Sequence, residues 1–276
     1  MRTNQITCVW PLIVVVVTLG LAAASANAVL INTVNSDGAR LSDTNGNGNP
    51  FDLENTPYTL SFDAGATADM LIVQLSSEAG SGGSTSGISI TYDGVALAPA
   101  ILSGSRARGI WYLDNPFTGG SADLTVDMSN FGVVNGLGLG VVSVATDASG
   151  IALHSTASAS GKSVTINTTL DDGFIVTGYA SNGGGAITLP GGHASLYNGG
   201  IGSTHAAAGH IINNVAAGSH TFTYTDTNTN PNDAKNVLAV AFVAVPEPAT
   251  LSLLALSGLA MLGRRRRAMQ LKGRDS

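Results

Sequence analysis

Between Val29 and Ala244 the apolar residues come in short, alternating runs, and almost every run is bounded by Gly, Asn, Asp or Ser. Alternation with a period of two puts apolar side chains on one face of a half-buried strand, and the bounding residues are those that tolerate turns. Strands are expected at Tyr58–Phe62, Met70–Leu75, Ile110–Leu113, Leu124–Met128, Leu139–Ala145, Val164–Asn167, Phe174–Tyr179, His220–Thr225 and Val237–Val245. The strongest local signal is Asp93-Gly94, set between Ile88–Tyr92 and Val95–Leu97. A two-residue hairpin needs positive φ at both central positions, and Asp-Gly supplies it. No stretch carries helical periodicity with caps. The expected body is one all-β domain over residues 29–244, a β-sandwich of jelly-roll-like form, with no internal linker.

Charge narrows the choice of partners. Only 11% of the 276 residues are charged, against about 25% in an ordinary globular domain. Between Val29 and Glu247 there are 17 acidic residues against five basic ones (Arg40, Arg106, Arg108, Lys162 and Lys235), a net charge of −12. Such a body repels nucleic acid and suits cations or neutral polymers. The single cysteine, Cys8, lies in the N-terminal apolar segment, so a body without it has neither disulfide nor thiol chemistry.

The two ends carry targeting features. Arg2 precedes the apolar run Val9–Ala24, and Ala26-Asn27-Ala28 follows as a small-x-small site for signal peptidase. Residues 1–28 are therefore expected to be a signal peptide cut after Ala28. At the other end stand Val245-Pro246-Glu247-Pro248, the apolar run Ala249–Leu262, Gly263, and Arg264, Arg265, Arg266 and Arg267. As a helix that run would span about 21 Å, short of a hydrocarbon core of about 30 Å. The arginines should stay cytoplasmic, leaving the body outside. Residues 245–268 then form a short transmembrane sorting or anchor segment, and 269–276 a cytoplasmic tail. A plain anchor, with the prolines serving only to start a helix, is the other reading of these residues.

Pro-Glu-Pro, a short apolar segment and an arginine cluster, in that order, resemble the PEP-CTERM sorting signal of bacteria that make extracellular polysaccharide. The resemblance covers about thirty residues. It implies recognition by an exosortase-type membrane protease, cleavage near Pro246–Pro248, and delivery of the body to the cell surface or beyond. In the body, the order of elements around Asp93-Gly94 and Ile110–Pro116 is similar to a β-sandwich module of bacterial surface proteins, which implies no site.

Chemical motifs are sparse. Gly136-Leu137-Gly138-Leu139-Gly140 lacks the third glycine and the following helix of a dinucleotide loop, and reads as close strand packing. Gly161-Lys162-Ser163 lacks the upstream glycine of a phosphate loop and reads as a turn. His154, His193, His205, His210 and His220 follow no metal or catalytic spacing and are expected on loops or the surface. Trp111 and Tyr112 are adjacent, so on a strand they face opposite sides, and Trp111 is expected in the core. One loop matches the calcium pattern at its defining positions: Asp43, Asn45, Asn47, Gly48 and Glu54, with Asn49 at the seventh. Pro50 and the absence of flanking helices weigh against it, and an Asx-rich turn is the alternative. Asp226–Asp233 is a poorer version without glycine or terminal glutamate.

The composite expectation is an exported, non-enzymatic surface or extracellular-matrix protein, without a cofactor beyond weakly bound calcium. Its partners would be signal peptidase, an exosortase, the membrane through its C-terminal helix, and extracellular polysaccharide. A secreted carbohydrate-binding module is the alternative, and a secreted hydrolase a third.

Overall fold

The computed structural model describes residues 30–42, 56–79, 85–104, 107–130, 134–183, 185–191, 193–201, 205–227, 230 and 233–245. The described residues are all-β, apart from a short 3-10 turn at Thr85–Gly87, and their sheets are stacked. In the first half run β1 (Ile31–Ser42), β2 (Tyr58–Asp63), β3 (Met70–Ala79), β4 (Ser89–Tyr92), β5 (Val95–Ala96), β6 (Ala98–Leu102), β7 (Ala107–Asp114), β8 (Ser121–Asp127) and β9 (Val134–Thr146). The second half holds β10 (Ile151–Ser160), β11 (Ser163–Thr168), β12 (Gly173–Asn182), β13 (Ile187–Thr188), β14 (Ala194–Ile201), β15 (His205–Val215), β16 (Gly218–Thr223), β17 (Thr225–Asp226) and β18 (Lys235–Ala244).

Two five-stranded sheets form the middle of the stack, β1-β9-β3-β7-β6 and β10-β18-β12-β15-β14. Outside the first lies β2-β8-β4-β5, and outside the second the ribbons β11-β16 and β13-β17. Three cores separate these layers. Leu71, Val73, Leu75 and Trp111 point outward to meet Phe62, Tyr92 and Leu124. Met70, Ile72 and Val142 point inward to meet Phe174, Val240 and Phe242 of the other half. Ile175, Tyr179 and Ala239 then meet Val164, Phe222 and Tyr224. Strands buried on both faces lose the polar half of the alternation, as in Met70–Val73 of β3, Phe174–Val176 of β12 and Val237–Val243 of β18.

The close approach of the two middle sheets depends on glycine. Tyr197 of β14 lies against Gly138 and Gly140, where a Cβ would collide with its ring or with Leu196. Gln74 of β3 occupies the space that side chains at Gly178 and Gly209 would need. The Gly136–Gly140 pattern is thus a packing feature.

The halves repeat one another in register. Leu71 pairs with Leu113 and Ser143, as Ile175 pairs with Ile212 and Ala241. One residue after Ser143 and Ala241, the edge strands β1 and β10 carry a bulge, between Thr33/Asn35 and Leu153/Ser155. Beside Trp111 and His210, the opposite edges β6 and β14 carry another, at Pro99/Ile101 and Ser195/Tyr197. Two residues past Leu113 and Ile212 stand Asn115 and Asn214, both at positive φ (51° and 56°). A bulge on every edge of the middle sheets interrupts the row of free backbone groups through which sheets stick to one another.

The Asp93-Gly94 turn forms as expected, with φ of 50° and 75°, and pairs Tyr92 with Val95. Trp111 is 3% exposed, in the first core. The histidines need correcting. His205 and His210 lie inside β15 and are buried, because its neighbours β12 and β14 cover both edges and the adjoining layers both faces.

Candidate functional site

Most residues singled out by sequence lie outside the described ones: Ala26 and Ala28 of the cleavage site, Asp43, Asn45, Asn47, Asn49 and Glu54 of the calcium pattern, and Pro246, Glu247, Pro248 and Arg264–Arg267 of the tail. Of the tail residues singled out by sequence, Val245 is described. Its N–H donates to the Gly150 carbonyl at 2.8 Å, and its carbonyl accepts from the Ser149 N–H at 3.2 Å and the Ser149 hydroxyl at 2.8 Å. It directly follows β18, a strand held between β10 and β12.

The densest group of titratable side chains lies in the outer core of the second half. Tyr224 Oη stands 2.6 Å from both Thr177 Oγ1 and His210 Nδ1, and Thr177 Oγ1 stands 2.8 Å from that nitrogen. Thr177 and His210 are fully buried. His193 stacks on His210 with ring centroids 4.5 Å apart, and Phe222 meets both rings edge-on. Next to this group, Tyr179 stacks on Tyr224 and donates a short hydrogen bond to Asp226, whose other oxygen pairs with Lys162 Nζ at 2.8 Å.

Burial, then the neighbouring His193, lowers the His210 pKa to about 3, so its imidazole is neutral at physiological pH. Burial also depresses His193. Tyr224 and Tyr179 are pushed well above their ordinary range, chiefly by burial. Burial pushes the Asp226 carboxyl up, but Lys162 and Tyr179 outweigh it and hold the group below its ordinary value. Asp226 thus forms an internal ion pair with Lys162.

The first half shows what the fold itself requires here. By register, Val73 stands where Thr177 does, Leu75 where Tyr179 does, and Trp111 where His210 does. Counting from the positive-φ glycines in Gly120-Ser121 and Gly218-Ser219 sets Val126 against Tyr224 and Met128 against Asp226. An apolar core in one half is a closed polar network in the other. Burying such groups costs about 1–3 kcal/mol each unless they are hydrogen-bonded; Thr177, His210, Tyr224, Tyr179 and Asp226 find partners within the network, whereas the buried Nδ1 of His193 has none. Thr177 and His210 are sealed from solvent, whereas Lys162 and His193 at the edge of the network are partly exposed. Among the described residues, no three His, Cys, Asp or Glu side chains come together so as to hold a metal ion.

Sequence reasoning missed this network because its members lie far apart, from Lys162 to Asp226, and are united only by the pairing of β12 with β15 and the packing of the outer ribbons against them. The available signal was parity: Thr177 and Tyr179, two apart on β12, share the face toward the outer core, as do Tyr224 and Asp226 opposite them.

At the opposite end of the middle sheets, His205 Nδ1 approaches Glu78 Oε1 at 2.9 Å, both nearly buried, and Arg108 Nε donates to Ser77 Oγ at 2.6 Å. Asn236 Oδ1 accepts the Ala107 N–H at 3.0 Å, and its Nδ2 donates to the Ala107 carbonyl at 3.2 Å. These contacts tie β3 and β7 of one half to β15 and β18 of the other.

Among the described residues no helix is long and apolar enough to cross a membrane; Ala249–Leu262 lies outside them. No curated protein and no solved structure matches the chain. Residues 244–267 match the PEP-CTERM protein-sorting motif, beginning at the last residue of β18. That motif implies export and processing at the membrane by an exosortase, and the chain is a protein carrying a PEP-CTERM sorting domain at its C-terminus.

Proposed function

We propose that the mature body is a non-enzymatic protein of the cell surface or extracellular matrix, associated with exopolysaccharide. The observation that carries this reading is the sorting motif, which begins at the last residue of β18, the final strand of the stack. Trp111 is in the core and Tyr112 packs edge-on against Phe242, so these two aromatics serve packing rather than a sugar platform. Each half reads as a jelly roll: its first strand pairs with its last, and its third lies on the other side of the last.

On this reading residues 1–28 are removed by signal peptidase, Ala249–Leu262 spans the membrane until the exosortase cuts, and Arg264–Arg267 hold the tip in the cytoplasm. Fractionation of the native host tests the matrix assignment. The mature protein should sediment with the polysaccharide matrix and be released when the matrix is digested with glycosidases. Recovery as free protein in the medium before digestion would refute that association.

For the Asp43–Glu54 loop the proposal is a weak calcium site, resting on its sequence pattern. Millimolar calcium should raise the melting temperature of wild type and leave the Asp43→Ala/Glu54→Ala variant unmoved. An identical response in both would return the loop to an Asx-rich turn.

A further inference from the structure

Three residues, Pro246 to Pro248, separate the pinned Val245 from the apolar run that begins at Ala249. Fully extended they reach about 10 Å. During sorting, the end of the stack at which β18 finishes must therefore lie against whatever surrounds the cut site. That pole is formed by the ends of β3, β7, β9, β12 and β15 that lie beside Ala244, as the pairs Met70–Val144, Met70–Asp114 and Phe174–Phe242 show.

Two independent features mark this pole. Of the seven large hydrophobic side chains exposed among the described residues, five lie on or beside it: Leu30, Phe117, Leu153, Leu170 and Val245, each 36–44% exposed. Basic charge is segregated away from it, while six of the thirteen described carboxylates lie on it. Asp63, Asp69, Asp114, Asp147, Asp171 and Asp172 are at this pole, whereas the described Lys and Arg residues, Arg40, Arg108, Lys162 and Lys235, all sit toward the opposite ends of their strands. Scattered exposed apolar residues need no explanation, but a concentration beside the tether does. A bilayer bearing anionic lipid would repel so many carboxylates, whereas a basic protein surface would attract them.

We propose that this pole is the surface on which the sorting protease seats the body, and that the protease presents a basic, partly apolar surface to it. The proposal rests on the sorting reading. Leu30, Phe117 and Leu170 supply the apolar contact, and Asp147, Asp171 and Asp172 orient the body so that Pro246–Pro248 enters the protease rather than standing away from it.

The test compares full-length chains in the native host by pulse-chase, scoring conversion of the tailed form to the cut form. One variant is Asp147→Asn/Asp171→Asn/Asp172→Asn, in which Asn keeps an acceptor for the Ala217 N–H that Asp171 now binds. The control is Thr165→Lys/Thr221→Lys/Thr223→Lys, on the exposed face of the outer ribbon β11-β16, which raises the net charge by the same amount. Neutralising the pole should slow cutting by about three- to tenfold at an unchanged melting temperature, while the control keeps the wild-type rate even though it loses the Thr165–Thr221 and Ser163–Thr223 hydroxyl contacts. Equal cutting of the pole variant and wild type would overturn the proposal. Faster cutting would overturn it in favour of a pole that faces lipid. Wild type that keeps its tail would instead refute the sorting reading on which the proposal stands.

Discussion

Lowering the pH from 7 to 5 should destabilise the protein through His210 by a calculable amount. Its pKa is about 3 in the folded chain, against about 6.5 when unfolded. The unfolded state therefore binds more protons throughout that interval, so stability is whole above pH 6.5 and falls as pH drops toward 3. At about 1.4 kcal/mol per pH unit below the unfolded value, the change from pH 7 to 5 is about 2 kcal/mol. For a body of this size that lowers the melting temperature by about 4–8 °C. His210→Phe isolates the effect, because Thr177 and Tyr224 still bond each other at 2.6 Å once the imidazole is gone. Thermal melts of wild type and variant at both pH values should show the extra loss in wild type alone. The same pH dependence in both would mean that His210 is not held neutral in the core, and the reasoning would fail.

Gly38→Ala should cost at least about 1–3 kcal/mol in a urea melt, since its Cβ would land on the backbone carbonyl of Leu196, which cannot rotate away. Wild-type stability in that variant would show that the two middle sheets are less tightly apposed than described. Asp226→Ala should cost about 1–3 kcal/mol at pH 7, because the buried Tyr179 hydroxyl loses its acceptor. The folded carboxyl is depressed, so its contribution is present above the ordinary carboxylate pKa and lost as pH falls through the folded value. The difference between wild type and variant should therefore close in acid. A difference that persists there would assign the cost to packing.

The sequence made the outer layers legible and the inner ones less so. In β11 the pattern Ser163–Thr168 alternates exposed with buried at every step, and the Asp93-Gly94 turn fixed the β4–β5 hairpin from two residues. Edge strands β1 and β10 escaped notice, because Asn, Ser, Gly and Ala have little strand preference and are held there by β9 and β18. Val237–Val243 and Met70–Val73 were apolar without interruption, which a strand facing solvent on one side would not be. The internal repeat survives in bulges, register and positive-φ asparagines rather than in side-chain identity, so it became visible only in three dimensions. The polar network is illegible for a related reason: its histidines follow no sequence spacing and meet only through strand pairing.

The intact mass and C-terminal peptide of the protein recovered from its native host test the central claim most directly. An exosortase substrate should appear as a product that ends near Pro246–Pro248 and lacks Ala249–Leu262 and Arg264–Arg267. A steady-state product that ends at Ser276 in the membrane fraction would contradict it, and would make the tail a simple anchor.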